Sequence, residues 1–262
     1  MFTPFAYIKS PSPVPLGGLV AWYDAADYVS GSTTWPNRVD GPDLTLLGTY
    51  SRSDSVNGPY VWFETLAHGY TGNVINFLSN DITIIQLMIG YPNNDFDTSW
   101  AIAEGEVSNF IFTDIIDGQS PVYPVGVWHN GNTGYYASGS TPSLSNTLYP
   151  QLQSFGLTTE TFYSYRVSSG FDASSGLQIK VGDNTYQTLG GGFTNTLWRA
   201  GAFNTNYDIV GNNNIILGAF NSSGFYPLEA RYGVYMVYNR LLSDEEIQTI
   251  YDYYADIYNL LT

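Results

Sequence analysis

The stretch Leu228-Glu-Ala-Arg-Tyr-Gly-Val-Tyr-Met-Val-Tyr-Asn-Arg-Leu-Leu-Ser-Asp-Glu-Glu-Ile247 decides the fold. Its first half alternates: Tyr232, Val234, Met236 and Tyr238 point one way, and Gly233, Tyr235, Val237 and Asn239 the other. A period of two in β-branched and aromatic residues is a strand buried on at least one face. Ser243 then caps a helix. Glu246 stands three residues on, so each side chain can satisfy the other's exposed backbone N–H. Asp244, Glu245 and Glu246 fill the first turn, where the helix dipole favours negative charge. Behind them Ile247, Ile250, Tyr251, Tyr254, Ile257, Tyr258 and Leu261 fall on one helical stripe. An isolated helix of this length is marginal in water, whereas burying such a stripe contributes on the order of 10 kcal/mol as an upper bound. The spacing therefore predicts a helix over 243–260 that exists because it docks.

Upstream the chain reads as strand after strand. Leu19 to Asp24 is the first, followed by 43–47, 60–64 and 82–89. The last of these is almost wholly apolar (Ile82, Ile84, Ile85, Leu87, Met88, Ile89) and reads as a central strand covered on both faces. Further strands are expected over 100–106, 109–116, 125–128, 134–137, 162–167 and 177–181, with Gly, Pro or Asn between them. A hairpin turn at Val181-Gly-Asp-Asn-Thr-Tyr186 leads back into 186–189. Residues 190–214 are looser and rich in Gly and Asn. No repeat period is present, which argues against a propeller or solenoid. Many strands with one convincing helix point to an all-β, two-sheet antiparallel jelly-roll sandwich.

Composition sets limits on function. The chain has 262 residues, 44% hydrophobic and only 12% charged, enough for one large β domain whose polar surface is Asn, Ser, Thr and Gly. A formal net charge of −15 repels nucleic acid and anionic membrane alike, since phosphate binding rests on Lys and Arg. With no cysteine there is neither a disulfide framework nor a zinc-thiolate site. No run approaches the 18 or so apolar residues that span a bilayer. The N-terminus shows no basic region followed by an apolar core, and Lys9 interrupts its short apolar run. Residues 1–16 carry Pro4, Pro11, Pro13 and Pro15, with Phe2, Phe5 and Tyr7 between them. Proline at that density favours an extended arm, and three aromatics suit an arm that inserts into a neighbouring subunit better than a solvated leader. The expected organisation is thus an arm over 1–16 and a sandwich over 17–262.

The run from Val234 to Ile247 resembles the last strand and closing helix of laminin-G-like (concanavalin A-like) jelly rolls. Gly18-Leu-Val-Ala-Trp-Tyr-Asp-Ala-Ala-Asp27, followed by Trp35, resembles the family's first strand, especially in its bacterial and phage members. Asn214-Ile-Ile-Leu-Gly-Ala219 resembles the strand that precedes the last one. The resemblance covers both ends of the chain, and the middle matches in rhythm alone. One departure is Tyr226-Pro-Leu-Glu-Ala-Arg-Tyr232, which stands where the family has Phe-x-Gly-x-Ile. The resemblance implies a concanavalin A-like sandwich, and it implies calcium as the ion to consider. Asn93, Asp95 and Asp97 cluster after Pro92 as hard oxygen donors, with Asp24 and Asp27 a thinner second cluster; a solvated loop is the plainer reading of both. No other cofactor is expected.

Enzyme chemistry finds little support in the residues. Glu104-Gly-Glu106 puts two carboxylates on one strand face, and some enzymes of this architecture use Glu-x-Asp-x-Glu there to cleave sugar bonds, but the third acid is absent. His68 and His129 sit in no nucleophile or metalloprotease motif, and Gly190-Gly-Gly192 lacks the lysine of a phosphate loop. Carbohydrate recognition would use aromatic platforms beside amide donors. Trp128, His129, Asn130 and Tyr135 make one such grouping, and Trp198 stands in the loose region, although most of the 23 Tyr, 14 Phe and 6 Trp must simply fill the sandwich. The expectation is a non-enzymatic virion structural protein, a capsid-decorating, fibre or tail-associated subunit. It would assemble with other virion subunits and could bind a cell-surface glycan. The alternatives are an extracellular carbohydrate-binding module and, further off, a polysaccharide hydrolase using Glu104 and Glu106.

Overall fold

The structure is a computed structural model and describes residues 13–55, 57–64, 66–72, 74–91, 100–104, 109–117, 123–129, 161–168, 177–181, 199–201, 209–219, 222–224 and 227–260. Its strands form two antiparallel sheets. In spatial order the first holds Arg199–Gly201 (β14), Leu177–Val181 (β13), Thr161–Val167 (β12), Ile82–Gly90 (β8), Ala230–Tyr238 (β16), Gly58–Phe63 (β5) and Tyr50–Ser55 (β4). Leu19–Asp24 (β1) shares with β5 the edge of β16 that faces away from β8. The second holds Tyr123–His129 (β11), Asn109–Asp117 (β10), Trp100–Glu104 (β9), Gly211–Leu217 (β15), His68–Tyr70 (β6), Leu44–Leu47 (β3) and Thr34–Trp35 (β2). Ile75–Phe77 (β7) also pairs with β15. The two-sheet jelly-roll expectation stands, with one helix, Asp244–Tyr258 (α1), closing the chain.

The middle of the first sheet shows why it is central. All nine residues of β8 are buried, and the two faces go to different layers. Ile82, Ile84 and Met88 face the second sheet, where Trp35, Leu44, Leu46, Ile102, Ile215 and Leu217 complete the core. Ile85, Leu87 and Ile89 face outward, beneath α1. Such a strand reads as a continuous apolar run because neither face meets water. Gln86, the polar exception on the inner face, is 1% exposed and donates from Nε2 to the Tyr165 hydroxyl at 3.2 Å.

The strand β16 departs from simple alternation. The register slips between Tyr232 and Val234, so Tyr232 joins Tyr235 and Val237 in the inter-sheet core while Val234, Met236 and Tyr238 face the helix. A one-residue bulge at Gly233 moves Tyr232 to the opposite face from the one its period of two predicts.

The helix forms as its sequence requires. Ser243 Oγ accepts from the Glu246 amide at 3.2 Å, and Glu246 Oε2 accepts from the Ser243 amide at 2.9 Å. Asn259 ends it in the left-handed conformation, φ 49°. Ile247, Ile250, Tyr251, Tyr254 and Tyr258 are buried against Trp22, Tyr60, Phe162 and the outer residues of β8 and β16. Ile257, expected on the stripe, is 41% exposed. Tyr258 holds the last turn instead, its hydroxyl donating to Pro59 O at 2.9 Å or Gly233 O at 3.1 Å. Val14, within the stretch read as an arm, is 2% exposed and packs in this same outer layer. Leu261 lies outside the described residues. No helix among those residues is long and apolar enough to cross a membrane.

Candidate functional site

The structure gives the sequence-predicted site residues unequal treatment. Trp128 and His129 lie on β11, the outermost strand of the second sheet, in register with Thr113 and Phe112 of β10. Asn130, Tyr135 and Trp198 lie outside the described residues, as do Asn93, Asp95 and Asp97 of the calcium loop and Phe2, Phe5 and Tyr7 of the arm. Glu104 ends β9, paired with Asn109, and Glu106 is outside the described residues. Among the described residues no three or more of His, Cys, Asp and Glu gather as metal ligands do.

The second acidic cluster has a different occupation from the one its composition suggested. Asp24 is 3% exposed at the end of β1. Arg38 Nη1 lies 2.6 Å from its Oδ2, and the same guanidinium pairs with Asp27 through Nε. The Ala26 amide donates to Asp24 Oδ1 at 2.9 Å, and the Tyr254 hydroxyl donates to Oδ2 at 2.9 Å. That hydroxyl in turn accepts from Trp22 Nε1 at 2.8 Å, and Arg38 lies over the Trp22 ring at 4.9 Å. Burial pushes the Asp24 carboxyl up from its ordinary range, against the pull of Arg38 and the two hydrogen bonds. Burial works against the Arg38 charge, but the hydrogen bond to Asp27 and the charges of Asp24 and Asp27 outweigh it and hold the guanidinium above its ordinary range. One arginine thus bridges both carboxylates, and through the Tyr254 hydroxyl Asp24 ties the first strand to the closing helix.

His68 is a core residue. It is 5% exposed, with Nε2 3.0 Å from Ser222 O and its ring stacked on Tyr70.

A second grouping lies on the outer face of the first sheet, beyond the C-terminal end of α1. Arg231 of β16 pairs in register with Trp62 of β5 on one side and Ile89 of β8 on the other. Its guanidinium carbon sits 4.8 Å from the Trp62 ring centre and 5.7 Å from that of Tyr91. Tyr91 is fixed by its own amide, which donates to Glu229 O at 2.7 Å. All three side chains are half-buried. Trp62 Nε1 and Arg231 Nε are buried donors with no hydrogen-bond partner. The sequence hid this group because its members stand 29 and 140 residues apart along the chain, from Trp62 to Tyr91 to Arg231. Only the pairing of β5 with β16, and of β16 with β8, brings them together. The one available signal was Arg231 itself, a charged residue within an otherwise apolar strand.

Chemically, this is an aromatic wall holding a flat cation. The rings attract the guanidinium charge without supplying acceptors for its N–H donors.

No protein-family model matches the sequence, and no curated protein matches it. Solved structures do match in fold. Domain 4 of AbnA, a GH43 extracellular arabinanase from Geobacillus stearothermophilus in complex with arabinotriose, superposes with a TM-score of 0.55 at 11% identity. That match covers 89% of this chain and 98% of the arabinanase domain. Trypanosoma rangeli sialidase in complex with the inhibitor DANA superposes with a TM-score of 0.55 at 12% identity over 91% of this chain. The same sialidase bound to 2,3-difluoro-KDN gives 0.52 at 13% identity over 93% of this chain. The chain spans 33% of the sialidase length, so that likeness is to one part of a larger protein. At these identities the shared property is the lectin-like β-sandwich fold.

Proposed function

We propose that this chain is a carbohydrate-binding β-sandwich that performs no catalysis of its own, and in its finer form a structural subunit at the surface of a virion. The observation that carries the binding reading is the Trp62–Tyr91–Arg231 group: half-buried aromatic rings beside a guanidinium, on the outer face of a sheet. Sugars are recognised by that combination, aromatic faces meeting the C–H side of the ring and fixed polar groups meeting its hydroxyls. The full-length likeness to an arabinanase domain in complex with arabinotriose supports the reading, because that domain matches as a whole. The expected grouping of Trp128, His129, Asn130 and Tyr135, and the separate one at Trp198, are further places for a glycan. Trp128 and His129 lie on the other sheet, so substitutions there are separable from those at Trp62.

The virion form of the reading rests on the sequence: the Pro-rich aromatic stretch before the sandwich and the resemblance to phage members of the laminin-G-like family. Calcium at Asn93, Asp95 and Asp97 belongs to the same proposal. Calorimetric titration with Ca²⁺ tests it, with silence in the wild type ending it.

A glycan array probed with the intact chain tests the binding reading. Binding to at least one oligosaccharide class, lost in Trp62→Ala or in Trp128→Ala, supports it and says which sheet is used. No binding to any class overturns it. Hydrolysis of a polysaccharide by the wild type, abolished in Glu104→Gln or Glu106→Gln, would replace it with the enzyme reading.

A further inference from the structure

We propose that Arg231, held between Trp62 and Tyr91, makes this surface selective for carboxylate-bearing saccharides over neutral ones; the inference rests on the glycan-binding reading and names its ligand class. The argument starts from the disposition of positive charge. The chain has 8 Lys and Arg against 23 Asp and Glu, so a cation without an acidic neighbour is conspicuous. Arg38 pairs with Asp24 and Asp27, Arg52 with Asp54, Arg166 with Asp244, and Arg240 with Glu246. Arg231 has no such carboxylate among the described residues; its neighbours are the rings of Trp62 and Tyr91.

The geometry then selects the ligand. Nε is the only one of its three nitrogens that is both buried and unpaired. Among the described residues the two Nη groups meet no acceptor. A guanidinium is planar and offers those two donors as a fork, which matches the two oxygens of a carboxylate. A neutral sugar hydroxyl uses one prong at most. Because the overall charge is −15, an acidic saccharide is repelled by most of the protein and is held only where such a fork stands unshared.

The experiment measures affinity by calorimetry for two acidic probes, trigalacturonate and sialyllactose, against two neutral ones, arabinotriose and lactose. Wild type, Arg231→Gln and Arg231→Lys are compared, each checked for an unchanged unfolding midpoint. Expected is tighter binding of at least one acidic probe than of its neutral counterpart. Arg231→Gln should weaken that acidic binding by about tenfold to a hundredfold, the range for a charged hydrogen-bond pair, and weaken neutral binding less, so that the ratio of acidic to neutral affinity falls. Arg231→Lys should keep the acid preference and lose affinity, because the charge stays and the fork does not. If neutral probes bind as tightly as acidic ones, or if Arg231→Gln keeps the preference, selectivity at Arg231 is wrong while glycan binding survives. If no probe binds, selectivity at Arg231 falls, and the glycan array decides whether glycan binding falls with it.

Discussion

The phenolic oxygen of Tyr254 lies 2.9 Å from Oδ2 of Asp24, joining the closing helix to the first strand across 230 residues of sequence. The two residues are buried, and each meets further polar groups: Tyr254 takes the Trp22 indole N–H, and Asp24 takes Arg38 and the Ala26 amide. A buried carboxylate surrounded only by apolar groups would cost several kcal/mol. Here Arg38, the Ala26 amide and the Tyr254 hydroxyl offset part of that cost. The arrangement also specifies where α1 docks, since a shift of one turn would strand both the carboxylate and the indole.

Tyr254→Phe keeps the ring and removes the hydroxyl, so packing is held constant and the polar link alone is tested. It leaves Trp22 Nε1 without an acceptor and Asp24 with one donor fewer. The expected loss is about 1–3 kcal/mol, the cost of a buried donor left unmatched. Urea unfolding should show a lower midpoint at unchanged slope. An unchanged midpoint would mean that the link contributes nothing net.

Two carboxylates on this helix layer should pull the acid-side stability in opposite directions. Asp24 has its folded-state pKa raised, chiefly by burial. The native state then binds more protons there than the unfolded chain, and its contribution is largest at low pH and declines as pH rises through the folded value. Glu246 has its folded-state pKa lowered, chiefly by the hydrogen bonds from Arg240. Its contribution is present above the unfolded value and is lost as pH falls through the folded one. Asp24→Asn should therefore make stability fall more steeply on acidification than in wild type, and Glu246→Gln should make it fall less. Unfolding midpoints measured from about pH 3 to 7 check both signs.

The fold was legible in the sequence wherever a single element carried its own signal. The capping box at Ser243 and Glu246, the wholly apolar run from Ile82 to Ile89 and the strand Leu19–Asp24 each need only local residues to be read. What was illegible depended on distance or on register. Asp24 and Asp27 read as a thin acidic cluster in a solvated loop because nothing local shows that Arg38 folds back onto them. Gly233 read as one more alternating position because a bulge is decided by pairing with β8. Trp62, Tyr91 and Arg231 carry no shared local signal, and only strand order puts them side by side. Of the candidate site, the sequence supplied residue types, and the sheet supplied neighbours.

Gly233→Ala tests the bulge and the helix end together. A Cβ there would meet Cε1 and Cζ of Tyr258 at 2.8 Å, inside contact distance. The Tyr258 ring is walled by Tyr60 and Tyr254 and cannot simply turn away. The expected cost is about 1–3 kcal/mol, as for other overpacked cores. It should be relieved in part by Tyr258→Leu in the same chain, which frees the space. If the two substitutions simply add, the contact is not what Gly233 is for.

The N-terminal stretch gives a prediction that separates folding from assembly. Val14 is 2% exposed within the layer that α1 covers, so the sandwich needs the chain as far back as that residue. Removing residues 2–12 should leave the unfolding midpoint where it is. Removing residues 2–15 should lower stability by about 1.5–3 kcal/mol, the value of one buried valine. If Phe2, Phe5 and Tyr7 serve an assembly, the shorter deletion already abolishes self-association or incorporation, read by light scattering and by co-purification with particles. Assembly that survives the 2–12 deletion would assign the contact to the sandwich itself. A stability loss on that shorter deletion would instead assign the aromatics to the fold, because ring burial and not subunit contact would then be what is missing.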